Sequence, residues 1–118
     1  MSEDPARALK DRLRTDLKQA MKARNAAEAS LLRTLLAAID NAEAPAQSSE
    51  QASAMSRDFS DGAAEVDRLT LTREQLNALL LEESAARLHA AADMDQHGHG
   101  DRADALREEA ELVRRYLA

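Results

Sequence analysis

An all-α fold is what this 118-residue chain predicts, with four main helices arranged as two helical hairpins of a small bundle. Three observations carry that expectation. Apolar residues recur three and four positions apart in four separate stretches, the spacing that gathers side chains on one helical face. A helix-start signal stands immediately before each of those stretches. Nowhere does the strict alternation of a half-buried strand appear.

The first helix opens at "DPARALKDRLRTDLKQAMKAR", with Asp4 as N-cap and Pro5 at the first helical position. At ~100° per residue, Leu9, Leu13, Leu17, Ala20 and Met21 share a face. The second helix starts at "NAAE", where Asn25 caps and Glu28 sits at the third position, as in a capping box. Leu31, Leu32, Leu35, Leu36 and Ile39 form its apolar arc, with Arg33 and Asp40 pointing away from it. Asn25 between two such patterns reads as a tight antiparallel connection, so residues 5–44 make the first hairpin.

Residues 45–69, including "PAQSSEQASAMSRDFSDG", lose the pattern and read as a flexible linker. Phe59 is the residue expected to pin it to the bundle, and residues 63–69 could add a short helical turn. Thr72 and Gln75 then mark the third helix, which runs through Leu76, Leu79, Leu80 and Met94 to about Gln96. Leu81 and Leu88 widen its apolar arc, predicting a helix covered around much of its circumference. "HGHGD" breaks the pattern. Asp101 is the expected cap of a fourth helix carrying Ala103, Leu106, Ala110, Val113 and Leu117, and residues 72–117 make the second hairpin. The whole chain, 1–118, is one small domain.

Composition narrows the function classes. Alanine supplies half of the 44% hydrophobic residues, so the core is expected to be thin and a second copy to cover part of the apolar surface. The chain has no cysteine, which removes disulfides, a thiol nucleophile and Cys-based zinc sites. It lacks an apolar run of the ~18 residues that would suggest a membrane span, and "MSEDPARALKDRLR" is too charged for a secretory signal. A cytoplasmic protein without membrane association is the expectation. The net charge is -6, but residues 1–40 carry eight Lys/Arg against six Asp/Glu, so a local basic surface survives.

That surface is a stripe on the first helix. Arg7, Lys10, Arg14, Lys18 and Lys22 lie within roughly 120° of arc and span ~22 Å, enough to track the phosphates of a folded RNA. The competing reading is a solvated flank whose stems cover apolar surface, and Asp11 interrupts it. In "EESAAR", Glu83 and Arg87 stand four apart in the favourable order, in the middle of the arc of Leu76, Leu80, Ala91 and Met94. A charged pair there either fixes helix register or marks a recognition site at a seam. His89, Asp93 and His97 recur every four residues, a spacing that can hold a divalent metal but meets none of the stricter zinc patterns. No metal and no cofactor are therefore expected. Ser30, Ser84 and the acidic residues show no convergent catalytic partner, so no catalytic residue is assigned.

The order of these features resembles the GatB/YqeY domain family. The likeness rests on "LKQAMKAR" with "LRTLLAAIDNAEA", on "LTREQLNALLLEES", and on Gly98 followed by "RADALREEA" from Arg102 to Ala110. It covers the chain outside residues 45–69. The resemblance implies an all-helical domain related to the C-terminal part of the B subunit of glutamine-dependent tRNA amidotransferases, where catalysis resides elsewhere and the helical appendage helps hold tRNA. It also implies a tie to carbon–nitrogen ligases with glutamine as amide donor, chemistry for which this chain shows no ATP-binding motif or amidase nucleophile. Arg33, Asp40, Glu83 and Arg87 match the family's pattern and are the implied partner-binding residues.

Departures from that pattern are Leu88 beside Arg87, where two basic residues often stand, Met94 in place of an aromatic, and a longer linker. The chain ends at Ala118, where the tail most associated with tRNA contact would begin. The functional expectation is a non-catalytic interaction module accessory to tRNA handling or to an amidotransferase. The alternatives are a non-catalytic component of a carbon–nitrogen ligase complex and a structural homo-oligomer.

Overall fold

The computed structural model describes residues 4–45 and 67–118. Phe59 and residues 63–66 of the expected turn lie outside that range. Four helices, α1 (Pro5–Lys22), α2 (Ala26–Glu43), α3 (Arg73–Gln96) and α4 (Gly100–Arg114), make up the fold, with no strand among the described residues. α1 pairs with α2 and α3 with α4, giving the two hairpins.

Local chemistry sets each boundary. Asp4 caps α1 by accepting from the Ala6 amide at 3.1 Å. α1 ends in a Schellman turn: the Asn25 amide reaches the Ala20 carbonyl at 2.9 Å and the Arg24 amide that of Met21 at 3.1 Å. The turn needs a left-handed residue, here Arg24 at φ 58°. Asn25 then accepts from the Glu28 amide at 3.1 Å, so one residue closes α1 and caps α2. Thr72 and Gln75 form a complete capping box on α3.

A second Schellman turn closes α3, with the His99 amide on the Met94 carbonyl at 2.8 Å and Gly98 at φ 78° in the left-handed position. This turn overturns the expected cap of α4. Because it brings His99 directly to the start of the next helix, α4 begins at Gly100 with His99 as N-cap and no side-chain cap. Asp101 falls in the first turn, where its charge complements the helix dipole.

The principal core joins both hairpins. Leu13, Leu32, Leu35, Ile39, Leu80 and Val113 are fully or almost fully buried in it, with Leu71, Leu76 and Tyr116 close behind. Beyond it, α3 and α4 continue as a pair packed on Ala91, Ala103 and Leu106, with Ala90 and Met94 at the edge. On α1, Leu13 and Ala20 are buried, Leu9 and Leu17 are half-buried, and Met21 is exposed. α3 is not covered as widely as its sequence suggests. Leu81 and Leu88 are 44% and 47% exposed, because α4 and the first hairpin lie on the other sides of the helix. Residues 67–69 are not helical, so the described end of the expected extra turn is irregular.

Adjacent leucines test this register. Leu80→Ala should lower unfolding free energy by ~2–5 kcal/mol, as for a buried leucine. In dilute protein Leu81→Ala should change it by less than about 0.5 kcal/mol. Urea melts of the two variants check the contrast, and equal losses would contradict it.

Candidate functional site

Three charged clusters and one aromatic contact organise the polar groups. The first closes the open end of the α1/α2 hairpin. Glu43, on the last turn of α2, is only 4% exposed. Lys10 reaches its carboxylate at 2.5 Å and Asp40 at 3.4 Å, while Arg68 reaches the same two groups at 3.3 and 3.7 Å. The Leu69 amide donates to the Glu43 carbonyl at 2.7 Å, satisfying one of the free acceptors at the helix end. Lys10 is thus turned into the fold and separated from the other cations of its stripe. Asp40 belongs to the same cluster at half exposure.

The second cluster spans α3 and α4. Arg87, with only 14% of its side chain exposed, donates to the Glu83 carboxylate and carbonyl, both at 2.9 Å, and to Glu109 at 3.3 Å. Arg102 approaches the other Glu109 oxygen at 3.5 Å. The pair expected from spacing is therefore part of a chain linking two helices. Glu109 was not legible from one helix, since its partner lies 22 residues away. Nearby, the buried Ser84 hydroxyl donates to the Ala110 carbonyl at 3.3 Å, so it closes a helix–helix contact.

The third group is the remaining basic surface. Arg7, Arg14, Lys18 and Lys22 are exposed on α1 within roughly 80° of arc. Arg14 is bridged to Asp11 at 3.3 Å, an exposed pair worth little. Arg33 is exposed and stands seven residues before Asp40, hence on nearly the same flank of α2. Since Asp40 meets Lys10 of α1, this flank adjoins the basic line. The structure therefore gathers Arg33 with the stripe and leaves Glu83 and Arg87 on the other hairpin.

No group of three or more metal-ligating side chains converges among the described residues. His89 and Asp93 are exposed, and the His97 ring meets the Asp93 carbonyl at 2.8 Å as part of the α3 terminus. His97 is the C-cap, where the helix ends and the regular four-residue spacing stops.

Tyr116 had no assigned role from the sequence. Its hydroxyl donates to Asp16 at 2.5 Å and the Arg12 guanidinium lies 4.6 Å from its ring centre, joining the end of the chain to α1. Burial, reinforced by the Asp16 carboxylate, pushes the phenol well above its ordinary range. Asn77 holds the adjacent Ala118 backbone through both its amide groups, at 3.1 and 3.3 Å.

No family model matches this chain, and no curated protein or solved structure is significantly similar to it. No described helix is long and apolar enough to cross a membrane.

Two outcomes follow from the clusters. Arg87→Ala should destabilise by about 2–3 kcal/mol, whereas Glu83→Ala, which leaves Arg87 its bond to Glu109, should cost about 1 kcal/mol. Thermal melts of the two variants should therefore rank in that order. Tyr116 is neutral in the fold at pH values where a free phenol ionises. Its contribution is fully present below about pH 10 and is lost as the pH rises beyond that, through its raised folded value. As the only tyrosine of a chain without tryptophan, it should show no phenolate absorbance above pH 10 until the protein unfolds. Tyr116→Phe should flatten the alkaline fall in stability.

Proposed function

We propose that the chain is a non-catalytic helical interaction module, accessory to tRNA handling or to a tRNA-dependent amidotransferase. The observation that carries this reading is the exposed basic surface of the first hairpin in a protein of net charge -6. Arg7, Arg14, Lys18 and Lys22 present cations along ~22 Å of α1, and Arg33 extends them sideways. Such a line suits successive phosphates, whose neutralisation releases counterions. The polar groups that would otherwise invite a chemical role are engaged in the fold: Ser84 on a backbone carbonyl, Glu43 with Lys10, Arg87 with two carboxylates. The sequence resemblance described above supports the same reading. A role as a non-catalytic component of a carbon–nitrogen ligase complex would use the same surface against an amidotransferase subunit.

Labelled bulk tRNA, titrated with the full chain and followed by anisotropy, tests the proposal. Binding should weaken steeply with salt. Combined Arg7→Glu, Lys18→Glu and Lys22→Glu should abolish it while lowering the melting temperature only slightly, through the reversed charge in the last turn of α1, since these side chains are exposed. Lys10→Met should reduce stability more than RNA affinity. Absence of binding at low salt, or unchanged affinity in the triple variant, would remove RNA from the account.

A further inference from the structure

The tip of the first hairpin carries two side chains that the fold does not use. Arg24 occupies the left-handed position of the turn that closes α1, at φ 58°. A residue with a Cβ is strained there, and glycine is the usual occupant. The chain itself provides the comparison. The turn that closes α3 has the same pair of backbone hydrogen bonds and places Gly98 in that position, at φ 78°. A Cβ at Gly98 would meet nothing within 4 Å, so conformation alone accounts for the glycine. At α1 the strain is tolerated, yet the Arg24 side chain is exposed and pairs with no carboxylate among the described residues. Glu28, the acidic residue nearest to it in sequence, is held by Asn25 at 3.3 Å. The helix dipole does not require a cation at Arg24, because Lys22 already stands in the last turn. Three residues earlier, Met21 is the most exposed large apolar side chain among the described residues, at 55%. It lies beside the basic line, within roughly 20° of Arg14 and 60° of Lys18 in arc.

We propose that Arg24 and Met21 hold one unpaired nucleotide at the end of the phosphate track on α1. This rests on the RNA-facing reading of the basic surface. The two side chains match the two halves of a nucleotide. A planar guanidinium stacks on a base while its N–H groups meet a phosphate. A thioether is polarisable and packs against aromatic rings, so Met21 gives the base a second contact. Lys18 and Lys22, both exposed, join this site to the cations further along α1. On the other side of the turn, Glu28, Glu108 and Glu109 outnumber Arg102 in the hollow beside Asn25 and Ala27. That balance disfavours phosphate, so the strand runs along α1 and not across α4. The RNA selected is a paired stem that continues into a single strand, with its first unpaired nucleotide at the tip.

Anisotropy of two labelled RNAs, a blunt duplex and the same duplex with an unpaired extension, tests this with the full chain. The extended RNA should bind several-fold more tightly, the scale of one stacked base. Arg24→Gly and Met21→Gln should each bring the two affinities together, while changing that for the blunt duplex by less than about three-fold. Arg24→Lys keeps the charge without the plane and should lose most of the preference as well. Arg24→Gly also releases the strained turn, so its melting temperature should not fall and should rise by up to ~5 °C. Equal affinity of the parent chain for the two RNAs would overturn the tip site. If the combined Arg7→Glu, Lys18→Glu and Lys22→Glu changes still abolished that binding, the RNA-facing reading would stand without it. Binding of neither RNA would overturn both. A preference that survives Arg24→Gly and Met21→Gln would overturn the tip site too. So would a lowered melting temperature of Arg24→Gly, since the guanidinium would then serve the fold.

Discussion

Glu43 is the residue on which three segments depend. Its carboxylate is withdrawn from water and holds Lys10 of α1 and Arg68 of the segment that returns toward α3, while its carbonyl receives the Leu69 amide. A buried carboxylate is tolerated only when its charge is matched and its lone pairs are occupied. Matching it fixes the register of α1 against α2 at their open end. The same match brings the returning chain to a defined place, from which Leu71 enters the core and Thr72 starts α3. At the opposite end of the hairpin the Schellman turn at Arg24 and the Asn25 cap hold the helices together.

Within that frame the apolar material is thin and unevenly spread. The large side chains collect where the hairpins meet, whereas the far part of the second hairpin rests mainly on Ala91, Ala103 and Leu106. Small residues allow helices to approach closely but bury little area each. Ion pairs between α3 and α4 therefore matter for alignment there, and Arg87 supplies it by joining Glu83 to Glu109. What is left outside divides by hairpin. The first presents cations, and the second presents Leu81 and Leu88 of α3. The two surfaces lie on different hairpins and share no residue.

The sequence disclosed the fold because each helix carries its own start and stop. Asp4-Pro5, Asn25 with Glu28, Thr72 with Gln75 and Gly98 act within a few residues, and such signals survive without tertiary knowledge. Asp101 misled because a tight turn brought the start of α4 forward by two residues. Leu81 and Leu88 misled differently: periodicity reports that a face is apolar, not that anything covers it. Glu83 and Arg87 were legible at four-residue spacing, but Glu109 was not. Lys10 looked like its neighbours on the stripe because nothing local distinguishes it. Its separation from them comes from Glu43, 33 positions later.

The structural role assigned to Lys10 and Glu43 is most directly tested by a double-mutant cycle on unfolding free energy, using Lys10→Met and Glu43→Gln. Each single change should destabilise by about 2–4 kcal/mol because it leaves a desolvated group without its partner. The double variant should be clearly less destabilised than the sum, with a coupling above ~1 kcal/mol. Additive effects within about 0.5 kcal/mol would contradict the account, since Lys10 would then be independent of Glu43 and available to the surface like the rest of its stripe.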